Sequence, residues 1–194
     1  MEAVVFDFDG TLIRQESMGL FLVAIAGRRR YLAAVAVAAF RAAMAGGRRR
    51  MTVFREELLR RTLAGKSRKD ALGAASSMFE RLDWVEETRR ALFRHRDQGR
   101  RILVATGSLS VYVPALLEQA GIPFDVMLST EMAMEGEVMT GEMATPSCTW
   151  EEKARRVQEW LAENGVKGPI WGYGNMPPDE AMLKLVDYPM VVSV

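Results

Sequence analysis

Cysteine and histidine each occur once in these 194 residues. A single cysteine, Cys148, excludes a disulfide framework and fits a reducing compartment. A single histidine, His95, excludes a histidine-rich metal site. Its setting, RHRDQG between a helical pattern and a strand, places it at the surface. Long apolar runs are missing too: GLFLVAIA (19–26) and YLAAVAVAAF (31–40) are divided by Gly27-Arg28-Arg29-Arg30. Neither reaches the roughly 18 residues needed to span a bilayer. They read either as two buried helices or as an interfacial element whose arginines sit at anionic headgroups. No secretory signal opens the chain, because its first apolar run is a strand that carries carboxylates. The expected location is cytoplasmic, with peripheral contact at the inner face of the membrane as an option.

What is present is ordinary in bulk: 49% hydrophobic and 26% charged residues, enough for one α/β domain with an insert and too few for two independent domains. The net charge of +1 hides a division. Between Arg14 and Arg101 there are 21 Lys/Arg against 9 Asp/Glu, and the rest of the chain holds 5 against 16. Such asymmetry points to an acidic partner for the basic part, unless it reflects only an arginine-rich composition.

The most informative run is VVFDFDGTL (4–12). A β-branched and aromatic stretch ends in Asp7 and Asp9, spaced to lie on one face of a strand as it leaves the sheet. Gly10 allows a sharp turn and Thr11 can tie it to its own backbone. Two carboxylates this close repel each other unless a cation or a proton intervenes. A solvated acidic turn is the plain alternative for a lone DxD, but the flanking apolar strand and the following Gly-Thr argue against it.

Residues 17–98 show helical spacing, with breaks expected at Gly27, Gly46–Gly47 and Gly65. RILVAT (101–106) reads as a strand, VYVPALLEQAG (111–121) as a helix and FDVMLST (124–130) as a strand. EMAMEGEVMTGEM reads as a hairpin around Glu135-Gly136. TWEEKARRVQEWLAENG (149–165) is an amphipathic helix with Thr149 as cap. PIWGYG (169–174), PDEAMLKLV and PMVVSV follow as strand, short helix and last strand. Strands alternating with helices after one helical insert predict an α/β fold: a Rossmann-like parallel sheet, helices on both faces, and an all-helical cap after strand one. The expected division is a core of residues 1–13 and 100–194 and a cap of residues 14–99. Ligands in such sheets bind at the carboxyl ends of the strands, where the two aspartates already lie.

Three further patterns complete a motif set. RILVAT ends in Thr106-Gly107-Ser108, a hydroxyl and backbone N–H groups at a strand-to-helix junction. Lys153 lies one turn inside the amphipathic helix, where an isolated lysine is ordinarily a solvated residue. WGYGNMPPDEAML places Asn175 and Asp179 after a strand. Together these resemble the haloacid-dehalogenase-like (HAD) superfamily over essentially the whole chain, the first motif residue for residue. In that resemblance Gly136–Gly141, here G-x-x-x-T-G, stands in the place of a G-x-x-T-G hairpin before a Cys/Ala-x-x-x-x-Lys-like helix start, here Cys148 to Lys153. Asn175 departs from it, since the fourth motif is usually GDSxxDxxML with an aspartate there.

The resemblance implies a phosphatase in which Asp7 is the nucleophile and Asp9 the acid and base. Thr106, Gly107 and Lys153 would clamp the phosphoryl group. Asp7, Asp9 (through its carbonyl), Asn175 and Asp179 would hold Mg²⁺, with one negative charge fewer than usual. A helical cap at this place resembles the phosphoserine-phosphatase-like subfamily. Glu16, seven residues after Asp9, and Arg61, after Phe54, match its substrate-contacting positions. Thr106-Gly107-Ser108, Met18–Leu22 and WGYG resemble the bacterial phosphatidylglycerophosphatase C branch instead. The implied partner is a phosphorylated small molecule or lipid, with the lipid phosphate ahead and nucleic acid not among the partners. Asn175 also keeps open a weakly active or non-catalytic phospho-ligand-binding protein.

Overall fold

A run of four apolar residues, Ala3–Phe6, forms the buried strand β1 at the centre of the structure. The computed structural model describes residues 1–193; Val194, the end of the expected last strand, and the side chain of Arg48, the first of the arginines at 48–50, lie outside the described residues. β1 pairs in parallel with β2 (Arg101–Leu109) on one side and β6 (Ile170–Gly174) on the other. β3 (Val126–Thr130) and β7 (Tyr188–Val191) flank them, and the order is β3-β2-β1-β6-β7. Phe6 sits in register with both Val104 and Tyr173. All pairings are parallel, so every link is a crossover and the sheet is covered on both faces.

The two-residue alternation of β1 divides the core. Val4 and Phe6 join Ile102, Val104, Leu92 and the helices of the insert, while Ala3 and Val5 join Leu103, Ala105, Val157 and Leu161 on the opposite face. That second face is covered by α7 (Trp150–Glu163), whose Ala154, Val157 and Leu161 recur at helical spacing and are buried.

The insert begins with α1 (Ser17–Ala26), α2 (Arg28–Ala45), α3 (Arg50–Leu63) and α4 (Arg68–Met78). In α2 the buried residues are Ala34, Ala38 and Ala42, one every four, a small-residue seam that lets the helix lie close on α3. Ser67 and Asp70 form a reciprocal cap at the start of α4. The next helix, α5 (Glu86–Asp97), packs on β2, and α6 (Val113–Gln119) follows that strand. A β-hairpin, β4 (Met132–Glu135) with β5 (Val138–Met143), leans on α3. The short α8 (Glu180–Leu183) precedes β7. No helix among the described residues is long and apolar enough to cross a membrane.

Several expectations change. His95 is buried, not at the surface: its Nε2 pairs with the Tyr173 hydroxyl at 3.1 Å, and Arg100 donates to Nδ1 at 2.8 Å. Burial first, then Arg100, lowers its pKa to about 4. β2 runs on to Leu109 rather than stopping at Thr106, with a break in its pairing to β3 between Ala105 and Leu109. The helix after it starts two residues late, at Val113. The expected helix PDEAMLKLV holds only four residues, and β7 starts at Tyr188 and ends at Val191. Thr149 is the N-cap of α7 by its backbone, with no side-chain bond to the helix.

Candidate active site

Asp7 continues the alternation of Ala3 and Val5, so its carboxylate emerges on the face that α7 covers. Lys153 lies one turn before Val157 on the buried side of α7, and its ammonium meets that carboxylate. Nζ donates to Asp7 Oδ1 at 2.6 Å and to Asp179 Oδ1 at 2.5 Å. Thr11 Oγ1 donates to the other Asp7 oxygen at 3.0 Å. All three charged side chains are almost wholly buried. Burial alone would lower the pKa of Lys153, but Asp7 and Asp179 more than offset it, so the pKa is raised and the lysine stays an ammonium. Asp179 moves upward, chiefly by burial and then by Asp7, because two carboxylates share one ammonium.

Asp9 takes a different set of partners. The Ser17 amide donates to Oδ1 at 2.6 Å and the Ser108 hydroxyl to Oδ2. Ser17 Oγ in turn lies 2.8 Å from Tyr112 Oη and 3.2 Å from Ser108 Oγ. The Asp9 pKa is pushed up to about 6 by burial, with the Ser108 and Ser17 bonds opposing. Asp7 is the smallest contributor, so burial and not the mutual repulsion expected from the DxD spacing dominates.

These residues line one cavity of about 110 Å³ at the carboxyl ends of β1, β2 and β6. Glu16 and Arg55 line it as well, as do Gly107, Ser108, Thr149 and Asn175. Two glycines make the closeness possible. Gly10 has φ +74°, and a Cβ there would stand 2.6 Å from Asn175 Nδ2. A Cβ on Gly107 would stand 2.5 Å from Thr149 Cγ2, where the entry to α7 crosses the end of β2. Trp150, the first residue of that helix, has φ +52°, a conformation costly for a bulky side chain.

The structure brings Asp7, Asp9, Glu16, Gly107, Lys153, Asn175 and Asp179 together around this cavity. Thr106 is fully buried behind the wall, its Oγ1 accepting the Ser108 N–H at 3.0 Å, so the hydroxyl on the cavity wall is that of Ser108. Arg61 is not at the site. It pairs with Glu57, and its carbonyl accepts Arg30 Nε at 2.8 Å, beside a separate surface hollow. Arg55 is the arginine that enters the cavity, donating to the Gly107 carbonyl, while its Nε is buried without a partner. Burial lowers its pKa, with Tyr112, Asp9 and Glu16 among the groups that oppose. Helical spacing was the available signal: Arg55 shares a face with the buried Leu58, Leu59 and Thr62, and Arg61 does not.

For a divalent cation the donor set is hard oxygen: the Asp7 and Asp179 carboxylates and the Asn175 side-chain amide. No group of three or more His, Cys, Asp and Glu among the described residues is placed to hold a metal, so a site here would draw on the Asn175 amide as well. The set fits Mg²⁺ at reduced negative charge.

A model of the haloacid dehalogenase-like hydrolase family matches residues 4–184, and the chain belongs to that family. It is thus a hydrolase of that family, and the named proteins that it resembles are phosphatases. It is 24% identical over 164 residues to a phosphoserine phosphatase of Streptococcus thermophilus, covering 84% of this chain and 70% of that protein. Among solved structures, a Bordetella pertussis protein of unknown function superposes with TM-score 0.76 at 18% identity, over 98% of this chain and 89% of the other. A phosphoserine phosphatase in apo form gives TM-score 0.65 at 14% identity, over 97% and 84%.

Proposed function

We propose that this protein is a Mg²⁺-dependent phosphomonoesterase that works through an aspartyl phosphate on Asp7. The observation that carries this is one buried ammonium, Lys153, bonded to both Asp7 and Asp179 in a cavity that also holds Asp9. Asp7 attacks phosphorus, and the P–O bond to the leaving alkoxide breaks as Asp9 gives it a proton. Asp9 then takes a proton from water, whose oxygen attacks the phosphorus and frees Asp7. With a pKa near 6, Asp9 exchanges a proton readily close to neutrality. Lys153, the Gly107 amide and the Ser108 hydroxyl bind the phosphoryl oxygens, with Thr106 behind the wall holding the Ser108 N–H. Asp7, the Asp9 carbonyl, Asn175 and Asp179 would hold Mg²⁺, which would supply positive charge to those oxygens.

The substrate reading follows from Arg55 and Glu16, a cation and an anion on the wall of a cavity of about 110 Å³. That pair suits a compact phosphate ester carrying both an anionic and a cationic group, as phosphoserine does. A lipid phosphate is the second reading, favoured by the basic, apolar insert; only its headgroup would fit the cavity. Turnover of phosphoserine, a lysophospholipid phosphate and an aryl phosphate, each with Mg²⁺ and with chelator, separates them. The expected result is chelator-sensitive hydrolysis, fastest for phosphoserine. Fastest turnover of the lysophospholipid phosphate selects the second reading. No turnover of any ester refutes both and leaves a phospho-ligand-binding protein.

A further inference from the structure

The outward face of α2 breaks the usual rule for a surface helix. Between Tyr31 and Ala45 the exposed residues are Leu32, Ala33, Ala36, Ala39, Phe40, Arg41, Ala43, Met44 and Ala45, a single charge in four turns. Phe40 is 67% exposed and Met44 74%, and Met51 at the start of α3 is also 74%. A contiguous apolar surface of this kind marks an interaction site. Arginines frame it: Arg28–Arg30 at one end of α2 and Arg49 and Arg50 beyond the other. From Ser17 to Arg55 the chain has eight arginines and no Asp or Glu. At the α2–α3 turn a hollow of about 530 Å³, lined by Ala39, Ala42, Met51 and Phe54 with Arg50 among its walls, opens beside the same face.

We propose that the outer face of α2 is a docking surface for an anionic bilayer, with Leu32, Phe40, Met44 and Met51 entering the headgroup boundary. Charge decides the occupant. A second copy laid face to face would set arginine cluster against arginine cluster, with no carboxylate in the segment to meet them. An anionic lipid surface meets both parts at once: phosphates at the arginines and acyl chains at the apolar row and hollow. α2 is 18 residues long and lies on α3, so it rests on the bilayer and does not cross it. This surface lies outside the catalytic cavity, and the inference stands whichever ester is hydrolysed.

Co-sedimentation of the intact protein with vesicles tests it, using phosphatidylcholine alone and mixed with phosphatidylglycerol. Partitioning is expected to the mixed vesicles, and to fall steeply when salt shrinks the screening length to about 3 Å. Changing Arg28, Arg29 and Arg30 to Gln should weaken it on the order of a hundredfold. A separate variant, Leu32→Ser with Phe40→Ser and Met44→Ser, should weaken it by about tenfold or more while the protein stays folded by circular dichroism. Equal partitioning to neutral and anionic vesicles, none to either, or variants that bind as the wild type does would overturn the proposal. So would a dimer, seen by sedimentation equilibrium, that the apolar variant dissociates, because the face would then belong to a second copy.

Discussion

Arg55 separates two accounts of the cavity. If its guanidinium binds a second anionic group of the substrate, Arg55→Ala should raise KM for phosphoserine by about 10- to 100-fold, the worth of a charged hydrogen bond. Arg61→Ala should leave KM unchanged, since Arg61 is tied to Glu57 away from the site. Steady-state kinetics of both variants checks this; an equal effect would mean that the arginines act through the helix. Asn175 decides the cation. Asn175→Asp restores a charge beside Asp7 and Asp179 and should lower the Mg²⁺ concentration for half-maximal binding, read by calorimetry as well as by activity. An unchanged Mg²⁺ dependence removes position 175 from the coordinating set. The residues that meet at the cavity were legible where short spacings fix them: Asp7, Asp9 and Gly10 in one turn, Asn175 and Asp179 in another. Arg55 was legible only in the helical spacing of α3, which sets it with the buried Leu58, Leu59 and Thr62, and counting residues from Phe54 passes over that signal.

At the scale of elements, the alternation of β1 and the spacing of α7 already define the site, since Val5 and Val157 share one buried cluster and Asp7 and Lys153 extend it. Both patterns are local and were readable. His95 was misjudged because its partners are distant: Tyr173 lies 78 residues on, in β6, and no local pattern announces it. The consequence is measurable. His95 has a folded-state pKa of about 4 against an ordinary 6.5. An unfolded chain takes a proton that the fold refuses, so stability is fully present above about pH 6.5 and is lost as pH falls toward 4. Urea midpoints should fall over that window, and fall less in His95→Gln. Parallel slopes for the two proteins would mean that another group controls the acid limb. Element ends also moved: β2 runs three residues further, with a break in its pairing between Ala105 and Leu109, and α8 is five residues shorter.

Across the whole molecule, the insert and the sheet share one apolar cluster, so Leu59 and Leu63 of α3 pack in continuity with Val4 and Ile102. We propose that residues 1–13 and 100–194 form the core and 14–99 the insert, with α5 serving the core as its cover on β2. In the cavity, Lys153 keeps the two buried carboxylates Asp7 and Asp179 compatible. All of this rests on Asp7 as the group that takes the phosphoryl. The most direct measurement is Mg²⁺-dependent turnover of phosphoserine by the wild type and by Asp7→Asn, a variant that keeps shape and removes the nucleophile. Asp7→Asn should lose activity by several orders of magnitude while the protein stays folded by circular dichroism, and labelled substrate should leave phosphate on the wild-type peptide that contains Asp7. Turnover that survives in Asp7→Asn, or that chelator does not touch, would contradict the account.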